Sequence, residues 1–93
     1  QDQITLVPDV MAGLIELCTA LVAPGEQVAF CTPAYPPFFA ELPQARVKLV
    51  SLALGPTGVI DLEKLEAGLA AGVRALVLTN PHNPTGRVAS PVE

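Results

Sequence analysis

The sequence predicts an α/β fold built on a mainly parallel sheet. Three observations carry this. Apolar runs of strand length stand at Val28–Cys31, Val47–Leu52 and Arg74–Leu78. Stretches with helix period and helix punctuation alternate with them. The third run passes straight into a polar loop, Thr79 to Arg87, braced by Pro81 and Pro84. Strict alternation of helix and strand implies parallel strands joined by crossovers, right-handed by the general rule. In such sheets the loops beyond the carboxyl ends of the strands hold ligands.

Each element has its own signal. Ile4–Val7 reads as a short extended segment stopped by Pro8. From Asp9 the pattern turns helical: Val10, Leu14, Leu17, Cys18, Leu21 and Val22 recur at helix spacing, and Met11 and Ile15 widen the apolar face. That width predicts a helix covered on most sides. Ala23-Pro24-Gly25 ends it. After the first strand, Thr32-Pro33-Ala34-Tyr35-Pro36-Pro37 forms a rigid corner, and a short helix over 38–42 is expected to stop at Pro43. Gly55-Pro56-Thr57-Gly58 is a loop. Asp61 caps a helix through Leu69, with Leu62, Leu65 and Leu69 inward and Glu63, Lys64 and Glu66 outward. Gly72 ends that helix. Ser90 and Glu93 have capping-box spacing with Pro91 between them, which predicts a closing helix.

Size and composition bound the function. At 93 residues the chain is one domain or less. Its 51% apolar content is rich for a small independent domain and suits an interior piece of a larger protein. The absence of an initiator Met and the stop at Glu93, in a helix's first turn, agree, so residues 1–93 are expected to be a single partial domain. The net charge of -4 argues against nucleic acid, and Arg46, Lys48, Lys64, Arg74 and Arg87 form no patch in the sequence. No apolar run approaches the roughly 20 residues that span a bilayer. Cys18 and Cys31 make no CxxC pair and read as buried free thiols in a reducing cytoplasm rather than as a disulfide.

Three segments are placed by this topology on one rim. Pro8-Asp9-Val10-Met11 opens a helix, whose backbone N–H groups and partial positive charge suit a phosphate. Tyr35 offers an aromatic face after the first strand. The Asn80–Gly86 loop offers a carboxamide, with Asn83 the residue it aims. Anion holder, flat ring and amide donor together describe a phosphorylated aromatic cofactor. Plainer readings stand beside these: Asp9 as a simple N-cap, Tyr35 as a packed aromatic, His82 as a structural loop residue. Asn83-Pro84-Thr85 is no glycosylation acceptor, because proline follows the Asn. No His, Cys, Asp or Glu set has metal-ligand spacing. Asp61, Glu63 and Glu66 read as a cap and a solvated helix face.

Taken together, these segments resemble the fold type I pyridoxal-phosphate enzymes, the aminotransferase class I/II superfamily. Asn-Pro-His-Asn-Pro-Thr-Gly-Arg-Val at 80–88 resembles that family's cofactor-loop signature, and Thr-Pro-Ala-Tyr-Pro-Pro-Phe-Phe at 32–39 its ring-stacking segment. The wording of both leans toward the cystathionine β-lyase-like branch. The resemblance implies a three-layer α-β-α arrangement, as part of the large cofactor-binding domain, and pyridoxal 5′-phosphate as cofactor. It implies that Asn83 donates to the cofactor's phenolic oxygen, that Tyr35 stacks on its ring, and that backbone N–H groups at Asp9 and Val10 hold its phosphate. It implies cis peptides before Pro33 and Pro84. It also implies an amino-acid substrate, a homodimer, and either transamination or β-elimination at a C–S bond. It implies that the lysine that binds the cofactor covalently lies downstream of the Asn-Pro loop, past Glu93; Lys48 and Lys64 do not fit that role, so the stretch alone is expected to be inactive. A non-catalytic α/β module is the reading from a different class.

Overall fold

The computed structural model of the chain describes residues 2–92. Helix α1 (Val10–Leu21) leads to strand β1 (Gln27–Thr32). A short helix α2 (Pro37–Glu41) runs directly into a 3-10 helix (Leu42–Ala45) and then β2 (Lys48–Ala53). Helix α3 (Leu62–Ala70) and β3 (Val73–Val77) follow. The strands lie in the order β2-β1-β3, and both pairings are parallel.

Strand β1 is central, which explains its uninterrupted apolar run: a central parallel strand is covered on both faces. Val28 and Phe30 point to one side, where they meet Met11, Cys18, Phe38, Leu42 and Val47. Ala29 points to the other, with Leu52, Val73 and the partly buried Leu65 of α3. Helices therefore cover both faces, and the three-layer α/β arrangement with a parallel sheet is present. Winding reverses around β1. The chain passes to β2 on one side, then returns over β1 to reach β3 on the other. An open sheet binds ligands outside the carboxyl ends of its strands at such a reversal.

Local chemistry fixes the helix starts. Asp9 accepts from the Ala12 N–H at 2.8 Å, and Asp61 accepts from the Lys64 N–H at 3.1 Å. Each bond satisfies a first-turn donor that has no partner inside its helix. Hydrogen bonding to Lys64 also holds the Asp61 carboxyl below the usual carboxylate range. At the opposite edge of the sheet, Arg74 is the extra residue of an irregularity between Gln27 and Val28, and its Nε lies 3.5 Å from Glu26.

Several expectations are corrected. Helix α2 stops at Glu41, ahead of Pro43 as expected, but the chain goes on as a 3-10 helix whose first turn holds Pro43, where its missing N–H costs nothing. Helix α1 is covered on one face only. Met11, Cys18 and Val22 are buried and Leu14 and Ile15 pack beside them, but Val10, Leu17 and Leu21 are 78%, 58% and 77% exposed. The covered face is the one turned to α2 and the 3-10 helix. In α3 only Leu65 of the three expected leucines meets the sheet; Leu62 and Leu69 are exposed. Gly68, one turn after Leu65, takes the other sheet-facing position, with its Cα side against Val73 and Leu52. The segment 4–7 forms no strand. Val7 folds back onto α1 so closely that a Cβ on Gly13 would stand 2.9 Å from its methyl group. Residues 91 and 92 form a turn rather than a helix, and Glu93 lies outside the described residues.

Candidate functional site

The site region is built from two strand ends. Phe30 pairs with Val77, so the segments leaving β1 and β3 emerge side by side on the carboxyl edge of the sheet. The β1 segment carries Tyr35 and the β3 segment carries Asn83. Helix α1 precedes β1, so its amino end faces the same edge.

Tyr35 is set in place from below. Its ring meets Phe38 edge-on at 6.0 Å, and Phe38 meets the fully buried Phe30 edge-on at 5.8 Å. Phe39 adds a third ring against Phe30 at 5.0 Å. An aromatic ladder thus runs from the sheet to the rim, where Tyr35 is 39% exposed. Tyr35 is both a packed aromatic and a ring with a face left to offer.

The loop after β3 is closed on itself. The His82 N–H donates to the Arg87 carbonyl at 2.7 Å, and the Gly86 N–H donates to the His82 carbonyl at 2.7 Å. Gly86 holds φ at 73°, a left-handed geometry that suits glycine. The His82 Nδ1 lies 2.8 Å from the Thr85 hydroxyl. Asn80, itself exposed, ties the loop to its exit, its Oδ1 accepting from the Ala89 N–H at 3.0 Å. The two amides of this loop therefore divide their work. Asn80 braces the backbone, whereas Asn83 is exposed and its side chain has no hydrogen-bond partner among the described residues. The peptides before Pro33 and Pro84 are cis, as the resemblance implied, and so is that before Pro81.

At the α1 tip, the Asp9 carboxylate takes the Ala12 N–H and the Asp9 carbonyl takes the Gly13 N–H. The backbone N–H groups of Asp9, Val10 and Met11 keep no protein partner among the described residues. The carboxylate itself opens toward a cleft shared with Glu16 and Glu41, which repels anions. What the tip offers an anion is its backbone, not its side chain.

Two features escaped the sequence reading. An apolar cavity of about 280 Å³ lies between the 54–62 segment and the Asn-Pro loop, lined by Cys31, Leu54, Ile60, Leu62 and Leu78 with His82 at its wall. Neither Asn83 nor Tyr35 lines it, so it is separate from the exposed amide and ring. At its border, Gly58 (φ 76°) lets the Arg87 stem cross so near that an added Cβ would meet Cδ at 2.9 Å. The glycine in Gly-Pro-Thr-Gly was the available signal; its contact with the loop 29 residues later was not visible from spacing.

The remaining candidates are accounted for. Lys48 opens β2 at the edge opposite the rim, and the Lys64 ammonium pairs with Asp61 at 2.9 Å. Cys18 and Cys31 are free and buried, and desolvation pushes both thiols up from their ordinary pKa. Among the described residues no set of three His, Cys, Asp or Glu could hold a metal ion, and no helix is long and apolar enough to cross a membrane.

The chain is thus a parallel α/β layer with a carboxamide and an aromatic ring on the segments that leave neighbouring strand ends. The chain belongs to the aminotransferase class I and II family, whose model matches residues 1–93. It is 37% identical over 90 residues to cystathionine beta-lyase PatB of Bacillus subtilis, covering 92% of this chain and 23% of the relative. It is 34% identical over 89 residues to the cystathionine beta-lyase of Corynebacterium glutamicum, covering 96% and 23%. A crystal structure from Corynebacterium diphtheriae, provisionally titled a PLP-dependent beta-cystathionase, superposes with a TM-score of 0.83 at 37% identity, over 92% of this chain and 22% of that one. The chain spans about a quarter of the length of the curated relatives it matches.

Proposed function

We propose that the protein to which this chain contributes is a pyridoxal 5′-phosphate enzyme that cleaves a C–S bond of an amino acid by β-elimination. The observation that carries this is the exposed Asn83 amide, without a hydrogen-bond partner among the described residues, on the strand end beside that of Tyr35. The branch is supported by the relatives named as cystathionine beta-lyases. Transamination is the second reading, favoured by the family itself and by matches to aminotransferases. Chain and parent are one partial domain and a larger enzyme of homodimeric type. Two free thiols support a cytoplasmic setting.

The residues present fit the cofactor. When bound, the cofactor supplies an electron sink for negative charge developing at the substrate α-carbon. Asn83 would donate an amide N–H to the phenolic oxygen and favour its ionised form. Tyr35 would stack on the ring and keep water from it. The backbone N–H groups of Asp9 and Val10 would hold the phosphate at the α1 tip, helped by the helix dipole. Lys48 opens β2 at the edge opposite the rim and Lys64 pairs with Asp61, which supports the reading that these 93 residues alone are inactive.

The function is tested on the full-length protein with L-cystathionine. Cofactor-dependent release of pyruvate without an amino acceptor is expected; a strict requirement for a 2-oxo acid acceptor would assign transamination instead. Tyr35→Ala is expected to speed cofactor loss by about three- to tenfold, the worth of one aromatic stacking contact. Tyr35→Phe should retain the cofactor, and equal loss in both variants would move the role from the ring to the hydroxyl.

A further inference from the structure

His82 is a buried polar side chain in a loop whose neighbours are exposed: 9% of its surface is accessible, while residues 83 to 86 stand in solvent. Burying an imidazole is unfavourable unless its polar atoms are satisfied. Here Nδ1 meets the Thr85 hydroxyl at 2.8 Å, and the bond spans the pair Asn83-Pro84. The Gly86 N–H to His82 carbonyl bond, at 2.7 Å, spans the same two residues on the backbone. Asn83 therefore stands on a turn tied across by two main-chain bonds, His82 N–H to the Arg87 carbonyl and Gly86 N–H to the His82 carbonyl, and by one bond between side chains. The proposed reaction assigns no task to either His82 or Thr85.

We infer that the His82–Thr85 bond sets the aim of Asn83, making both residues positioning residues for the cofactor's phenolic oxygen. The inference rests on the reading that Asn83 touches that oxygen. A carboxamide on a loose turn would lose conformational freedom each time it bound, and its hydrogen bond would be weakened by that ordering. A turn held from beneath by a buried ring has lost that freedom already. Pro84 restricts the residue before it. The side-chain tie restricts the orientation of the whole turn relative to the sheet, because the buried imidazole is anchored at the wall of the apolar cavity.

The test uses the full-length enzyme and four substitutions. Thr85→Val keeps the shape of an exposed side chain and removes the hydroxyl. It is expected to raise the cofactor dissociation rate by about three- to tenfold, the worth of one hydrogen bond. It should move the pH midpoint of the bound cofactor's absorbance in the same direction as Asn83→Ala. Hydrogen exchange in the cofactor-free enzyme should quicken across residues 80–89. Thr85→Ser should restore all three readings, and His82→Phe, which keeps burial without the polar atom, should reproduce Thr85→Val. Added to Asn83→Ala, Thr85→Val should change the midpoint no further. Faster exchange with an unmoved midpoint, or an equal increment in the absence of Asn83, overturns the inference and leaves a structural tie only. An unmoved midpoint in Asn83→Ala alone is a different failure: it removes the Asn83 contact itself, and the positioning role with it.

Discussion

Asn83→Ala in the full-length enzyme is expected to lower turnover by about 10- to 100-fold and to raise the pH midpoint of the bound cofactor's absorbance. The magnitude follows from what the amide is asked to do. A hydrogen bond to an ionised oxygen contributes roughly 1.5–3 kcal/mol, more than one between neutral groups. The sign follows from competition for one oxygen. While Asn83 donates to the phenolic oxygen, that oxygen holds the neighbouring acidic proton less tightly. Without the amide the proton is held more firmly and leaves at higher pH. Folding should change little, because the Asn83 side chain is exposed and makes no hydrogen bond to the described residues. Asn83→Asp keeps the shape but presents a carboxylate, which cannot donate and repels the ionised oxygen, so it should be at least as harmful. An unchanged pH–absorbance curve for Asn83→Ala would show that the amide does not reach the cofactor.

The features that sequence made legible are those in which a residue acts on its own backbone. Asp9 and Asp61 cap the helices they precede, and the Asn-Pro repeat marks the loop after β3. Alternation of helix and strand yielded the parallel sheet, because each apolar run had one partner type to choose. What failed was anything decided by a neighbour distant in sequence. Val10, Leu17 and Leu21 share helix period with Leu14 and Cys18, and periodicity cannot say which side of α1 meets α2. Leu62 and Leu69 looked inward for the same reason, whereas Gly68 has no side chain to announce that it faces the sheet. Pro43 does mark where α2 stops, because a proline breaks an α-helix interior, but the 3-10 turn that accepts it at its start gave no separate signal. In the candidate site, motif and position single out Asn83 and Tyr35 as candidates, and the structure sets them on segments that leave neighbouring strand ends. The division of work between Asn80 and Asn83, and the buried tie from His82 to Thr85, required coordinates.

The largest expected loss of stability comes from Phe30→Ala, about 3–5 kcal/mol in thermal or denaturant unfolding of the full-length enzyme. Phe30 is fully buried in the central strand, and its ring is met edge-on by Phe38 at 5.8 Å and Phe39 at 5.0 Å. Two effects add: the apolar ring leaves a cavity, and each edge contact, on the order of 0.5–1.5 kcal/mol, is lost. Burial is the larger of them, so Phe30→Leu should recover most of the stability while still lacking the ring edges. This separates packing from positioning. Tyr35 stands at the outer end of the same ladder, resting on Phe38 at 6.0 Å. If the ladder holds that ring, Phe30→Leu should fold well yet lose cofactor faster than the parent, approaching Tyr35→Ala. If its cofactor retention equals the parent's while its melting temperature falls, the ladder serves the core alone and Tyr35 is held by its own proline corner. The two outcomes are read on one protein sample, by melting and by cofactor release, and the core substitution touches nothing at the rim directly.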